Sequence, residues 1–456
     1  MNTKLLHSGN KNLSGKLTCF VALFIFSLGN LSASTNVSGR INSNTAWTLG
    51  GSPYIIMSDS TLTISAGDTL LLQPGVEVIF NNYQSAMNVT GYLLANGTSA
   101  DSIIFSYASG SNGITIQGAY SGGYFRYCRF SHASVAITPF SGAYFSHCMF
   151  NSNGMGVQNA NANFDTCSFY SNGQALSQPG TVNRCRFVGN MLAILQPNGI
   201  VQNSVFLHNT QGISNPGYTT GCVFDSNGIC LVAGLGITTR CEMKYNDTVL
   251  TGIFATITEC NISYNIVGIV SSGNCGVRND TITYNKFGIK TSLNSDTIKC
   301  NLICSNTSYN ILATGPGSMS VRDNVWCLPD SALIQPTIFD HHQNSLLGHI
   351  YFTPYDTVLC VEITTSAPSL TKSSTSFDVY PNPSNGVFTL QDKSYELRAK
   401  SMEVYNVLGE KVYSQLSIVN SQLSINLSRQ PSGIYLYRIT DDSGKLLDTG
   451  KLIVNH

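Results

Sequence analysis

Charge is what this sequence has least of. Only 11% of its 456 residues are Asp, Glu, Lys or Arg, and 24 bases balance 24 acids to a formal charge of zero. There is no basic run, and without one there is no electrostatic footprint for nucleic acid. Long apolar stretches are scarce too: beyond residues 17–28 none approaches the length that spans a membrane, so no transmembrane segment is expected. Helical periodicity is missing, which sets aside helical and leucine-rich repeats. No dense carboxylate cluster suits calcium, and nothing implies a cofactor. The histidines are scattered, and His341-His342 reads as part of a surface loop, not a metal site. What remains is a surface rich in Ser, Thr, Asn, Gly and Tyr, which suits neutral polymers such as glycans, or plain solvent.

What is present is a repeat. Small residues recur at Cys128, Cys148, Cys167, Cys185, Ser204, Cys222, Cys241, Cys260, Asp280 and Cys300, about 19 residues apart. Two places after each anchor stands a large apolar residue: Phe130, Phe150, Phe169, Phe187, Phe206, Phe224, Met243, Ile262, Ile282 and Leu302. A second apolar row at +9 runs from Ile137 to Ile289, and asparagine fills +5 except at Ala133 and Ser305. A period near 20 signals a solenoid. Anchor and +2 residue share a face if the segment is a strand. Asparagine tolerates the left-handed backbone of tight turns, and stacked copies can hydrogen-bond along the rod.

The sulfurs then read as small buried hydrophobes, and Ser204 suggests that the position wants size more than sulfur. Stacked anchors lie within disulfide reach, but parallel Cβ vectors oppose bridging. One thiol per coil makes a line, not a tetrahedral metal site. Asp280 is the odd anchor: neutral, hydrogen-bonded or turned outward. Cys230, Cys275, Cys304, Cys327 and Cys360 fall outside the ladder. Export would permit a disulfide among these five, with partners open.

The two ends differ from the middle. Lys4, Lys11 and Lys16 precede the apolar run 17–28, and Ser32, Ala33 and Ser34 follow, so residues 1–34 read as a secretory signal peptide. Residues 35–125 read as less regular opening coils, with strand-like pieces at 61–64, 69–72, 76–80, 87–89, 102–106 and 113–117. "GDTLLLQPGVEVIF", "GYLLANGTSADSIIFS" and the Asn-rich coils at 126–322 resemble exported right-handed parallel β-helix proteins of the pectate-lyase-like architecture. Residues 323–363, with Trp326 near their start, resemble the closing segment of such proteins. A solenoid end exposes strand edge and core, so a cap is physically required.

A Ser/Thr/Pro-rich linker at 364–376 follows. Residues 377–456 resemble the C-terminal sorting domain of the Bacteroidetes type IX secretion system. The landmarks are Tyr380-Pro381-Asn382-Pro383, Gly386, Tyr405-Asn406 with Gly409, Gly433 with Tyr435, and Lys451-Leu452-Ile453-Val454. The resemblance implies an all-β chain ending in a small Ig-like β-sandwich. It also implies the type IX machinery as partner, and delivery to the cell surface or the extracellular space.

Enzymes of the resembled architecture act on polysaccharides through outward side chains. Hydrolases need converging carboxylates, and lyases a base, often with calcium. No aspartate trio spans neighbouring coils. Arg240 and Glu259 occupy −1 in successive coils, with Glu242 and Lys244 beside them at +1 and +3, and these four are the candidate catalytic residues. The plainer reading is an exposed salt-bridge ladder of little energetic value. Arg184 and Arg186 flank Cys185 with no acid in view. Eight of the twelve aspartates from Asp59 to Asp356 precede Ser or Thr and then an aliphatic residue or Thr. This resembles the O-glycosylation signal of exported Bacteroidetes proteins, and equally suits turns leading into strands. The expected function is a non-catalytic, secreted or cell-surface β-helix protein presenting a polar rod face for glycan or surface interaction. The alternative is a polysaccharide lyase or glycoside hydrolase acting on the outward face.

Overall fold

A computed structural model describes residues 34–108, 113–118, 121–140, 142–158, 162–292, 295–358, 360, 377–392, 401–406, 410–416, 422–440 and 446–456. The segment read as a signal peptide, apart from Ser34, the segment read as a linker and Gly409 fall outside them. The chain divides between residues 361 and 362 into two compact units.

The first unit is a parallel β-solenoid. Each coil holds three short strands, and each strand pairs in parallel with its counterpart one coil away. The first sheet has fourteen strands, from Thr35–Val37 to Leu302–Cys304. The second has fifteen, from Gly39–Ile41 to Ile338–Phe339, and the third thirteen, from Thr45–Trp47 to Thr297–Lys299. Five of the six opening pieces overlap strands to within a residue or so at each end, and 113–117 encloses Ile114–Ile116. Strands this short form because alternate residues are apolar and cannot be buried by one coil alone; stacking buries them together. Phe105, Phe130, Phe150, Phe169, Phe187, Phe206 and Phe224 are fully buried, with successive rings 4.5–5.0 Å apart and nearly parallel. A second column, Phe125, Phe145 and Phe164, meets the first edge-on. Such contacts contribute roughly 0.5–1.5 kcal/mol each beyond area burial.

Two side-chain ladders hold the corners of the first sheet. At the first, the residue before each anchor adopts a left-handed backbone, as in Arg184, Arg240, Glu259 and Cys300. At Cys185, Ser204, Cys241, Cys260 and Asp280 the anchor side chain then accepts the backbone N–H of the anchor one coil earlier. Cys222 N donates to Cys241 Sγ, Cys185 N to Ser204 Oγ, and Cys260 N to Asp280 Oδ1. The position therefore selects a small acceptor, and not size alone. At the second corner runs the asparagine ladder: Asn209 Oδ1 accepts from both Asn190 N and Asn190 Nδ2 at 2.9 Å, and the pattern repeats from Asn153 to Asn306.

The tenth coil departs from the periodicity. Asp280 N donates to Asn301 Oδ1, and Thr281, Ile282 and Thr283 pair with Leu302, Ile303 and Cys304. The tenth anchor is Asn301 and not Cys300, its buried apolar partner is Ile303 and not Leu302, and Asn306 takes the ladder place assigned to Ser305. The step from Asp280 is longer by one residue, and a one-residue slip exchanges the two faces of a strand. Cys300 thus stands at the corner and bridges Cys360, while Cys304 bridges Cys327. Cys128, Cys148, Cys167, Cys185, Cys222, Cys230, Cys241, Cys260 and Cys275 are free and buried.

Asp280 is 1% exposed; its Oδ1 accepts from Cys260, while Oδ2 is buried without a partner. Burial, followed by the neighbouring Cys260, pushes its carboxyl well above the usual range. A carboxyl raised on folding contributes most stability below its unfolded pKa of about 3.9, and loses it as pH rises. Asn301 fills the equivalent place with an amide whose Nδ2 donates to Val277 O at 2.9 Å. Asp280→Asn is expected to raise the thermal midpoint at pH 7, with the gain shrinking toward pH 4; melting curves at both pH values check this.

Beyond the last coil, Met319–Ser320 pairs with Ile350–Tyr351, Ile338–Phe339 extends the second sheet, and Trp326 and Phe352 pack over the end of the core. The second unit has two antiparallel sheets. One holds Phe377–Tyr380, Val387–Asp392 and Gln422–Asn426; the other holds Ser401–Tyr405, Lys411–Leu416, Gly433–Thr440 and Leu446–Val454. Phe388, Leu390 and Ile425 of one share a core with Met402, Val404, Tyr437 and Leu452 of the other.

Candidate functional site

The four candidate residues do come together, as two separate ion pairs. Glu242 Oε1 meets Lys244 Nζ at 2.7 Å on one strand of the first sheet, and this hydrogen bond and charge hold Lys244 above the usual lysine range. Arg240 and Glu259 lie at the corner, not on the strand face, with φ of 54° and 57°, and pair across coils at 3.4 Å. Each carboxylate has its own base, and the Arg240–Glu259 pair is more than half exposed. This geometry is that of surface ion pairs. Arg184 does have an acid: Asp165, one coil back and nearly buried, accepts from Arg184 Nη2 at 2.8 Å with both oxygens. Repeat spacing around Cys185 does not reveal this partner, because Asp165 ends a third-sheet strand.

A more regular feature borders this patch. Tyr245, Tyr264 and Tyr284 occupy the left-handed position before the ladder asparagine in three successive coils, with φ of 60°, 60° and 57°. Their rings lie 5.6 and 5.2 Å apart, and each residue is more than half exposed. Ser226 and Ser305 hold the same place in the flanking coils. Ser152, Ser171 and His208 share this left-handed backbone, so it is the stripe of stacked exposed rings, and not the φ, that sets these three coils apart. Its signal, tyrosine at +4 of three consecutive repeats, was present in the sequence and overlooked.

Two other places bear polar groups. A groove of about 480 Å³ in the opening coils is lined by Leu71, Gln73, Asn96, Thr98, Arg126 and Tyr127. Arg126 Nε there is buried without a hydrogen-bond partner. In the cap, His342 and His349 converge on the buried Asp340, which the sequence reading missed by treating the histidine pair alone.

In the second unit, distant landmarks meet. Asn382 Nδ2 donates to Lys451 O at 2.7 Å and its Oδ1 accepts from Ile453 N at 2.9 Å, so the Tyr380–Pro383 segment is tied to the closing strand. Gly386 has φ +102°, and a Cβ there would lie 2.6 Å from Ser428 Cα, which explains the glycine. Leu452 is buried, whereas Gly433 is exposed with open space around it. Glu403 bridges Lys411, Tyr405 and Arg438, and these partners, Lys411 first, hold its pKa at about 2.

Fold and tail together define an exported solenoid. Residues 378–455 match the secretion system C-terminal sorting domain. The chain therefore carries the type IX tail and is delivered to the cell surface or extracellular space. Among the described residues no helix is long and apolar enough to cross a membrane. No curated protein matches the chain. Among solved structures it is similar to a tailspike protein of E. coli bacteriophage HK620 in complex with a pentasaccharide. That match has 10% identity and a TM-score of 0.32, over 91% of this chain and 86% of the other. It is also similar to an alginate lyase from Paenibacillus, with 11% identity and a TM-score of 0.19, over 64% and 93%. Likenesses this distant carry no functional argument.

Proposed function

We propose that this is a non-catalytic glycan-binding rod, exported to work at or beyond the cell surface. The observation that carries the reading is the exposed Tyr245–Tyr264–Tyr284 stripe on a surface poor in charge. A sugar presents apolar C–H patches and hydroxyls side by side. A phenol offers a π-face and an O–H in the same way, at low cost in side-chain entropy. Repetition at coil spacing lets a linear polymer engage several rings at once, and the solenoid holds them rigidly. The ion pairs of Glu242 and Glu259 fit a binding face better than an acid–base pair, since each carboxylate is already matched to a cation. Changing Tyr245, Tyr264 and Tyr284 together to alanine should weaken retention in glycan-containing gels at least roughly tenfold, since stacking contacts contribute about 1 kcal/mol each. Thermal unfolding should stay near wild type. Retention unchanged in a folded triple variant would overturn the assignment of the stripe.

A further inference from the structure

We infer that the cap holds a divalent transition-metal site of the zinc type, formed by Asp340, His342 and His349. Asp340 follows the last strand of the second sheet, and its side chain is completely buried. Its Oδ1 accepts from His342 N at 3.0 Å and meets His342 Nδ1 at 2.9 Å, while Oδ2 accepts from Ile350 N at 3.0 Å. His349 is held from the opposite side: its N–H donates to Ser318 Oγ and its carbonyl accepts from Met319 N. Its ring lies 4.9 Å from that of His342, nearly perpendicular to it, and 4.5 Å from that of His341. One ligand atom from each of Asp340, His342 and His349 falls within 4.8 Å of the others.

Metal bonds of about 2.0–2.2 Å from nitrogen and oxygen ligands place such atoms roughly 3.2–3.6 Å apart around a tetrahedral ion. Small side-chain rotations of the two histidines therefore suffice, because Asp340 is already fixed. Two imidazoles and one carboxylate are a ligand set suited to zinc, copper or nickel, and the exposure of His342 leaves room for water as a fourth ligand. His342 Nδ1 also lies 3.3 Å from Gln335 Nε2, and a cation would take the place of these hydrogen bonds. His341 stands just outside, its Nδ1 against Leu347 O at 3.1 Å. Among the described residues the free thiols are all buried, so they do not compete for the ion while the chain is folded.

The test is titration of Zn²⁺ alone into the full chain, produced without a polyhistidine tag, by calorimetry and by thermal unfolding. The expected result is one equivalent bound, a raised midpoint reversed by chelator, and a loss of roughly tenfold or more in affinity in His342→Ala and in His349→Ala. Both histidine side chains are solvent-accessible, so each metal-free variant should unfold near the wild type. Absence of saturable one-to-one binding overturns the site, and so does binding that survives both substitutions. Co²⁺ gives a second readout: thiolate charge-transfer bands would assign any bound metal to cysteine instead.

Discussion

Asn209→Ala should lower the stability of the solenoid by about 3–5 kcal/mol, the largest effect expected of any single asparagine substitution in the ladder. The residue is 1% exposed and lies in the middle of the row. Its Oδ1 accepts two hydrogen bonds from Asn190, and its Nδ2 donates to Phe187 O at 3.1 Å and Asn227 Oδ1 at 3.0 Å. Alanine removes all four, the bond to the Phe187 carbonyl among them. It strands away from water the Asn190 backbone N–H and one of the two N–H groups of the Asn190 amide (the other still donates to Phe169 O). Buried groups left unpaired each cost roughly 1–3 kcal/mol, while partial relaxation of the corner recovers part of the sum. The corner itself depends on the ladder, because His208 just before Asn209 is left-handed. Urea unfolding checks this; a loss below about 1 kcal/mol would show that the ladder follows from the stacking and does not support it.

The second large effect concerns the cap. Cys300–Cys360 joins positions 60 apart in sequence, and Cys304–Cys327 positions 23 apart. In the chain-entropy view, losing the longer loop costs about 4 kcal/mol and the shorter about 3. Cys300→Ser with Cys360→Ser should therefore loosen the cap over Trp326 and Ile303. Hydrogen exchange is expected to accelerate in the coils around Asn301 while those from Phe130 to Phe187 stay protected, since a solenoid couples mainly neighbouring coils. Uniform acceleration along the rod would contradict this. Opening both bridges should be accompanied by loss of cap protection before any loss of the aromatic columns.

Much of this architecture was legible from spacing alone, because a stacked coil must repeat its buried positions. The rows at Phe130 and Ile137 and the asparagines at +5 are pure register, and the structure keeps them from Asn153 to Asn285. Legibility ended where period stopped being a guide. The extra residue before Asn301 slipped the last anchor by one, so Cys300 was read as core when it faces Cys360. Arg184 looked unaccompanied because its partner, Asp165, belongs to another sheet. The tyrosine stripe is written in the repeat as Tyr245, Tyr264 and Tyr284 at +4, an exposed position that the apolar periodicity does not mark. The cap cluster needs the return of the chain from Asp340 to His349, a tertiary contact that periodicity does not encode.

The central claim, an exported rod that binds glycans without cleaving them, is tested most directly by one experiment with two readouts. The full chain is incubated with a panel of acidic and neutral polysaccharides, and both retention and the release of reducing ends or unsaturated products are measured. Retention by at least one polymer is expected, lost in the triple tyrosine variant, with no product from any. Product formation abolished by Glu242→Gln or Glu259→Gln would contradict the claim and make the outward face of the first sheet, or the corner beside it, a catalytic one.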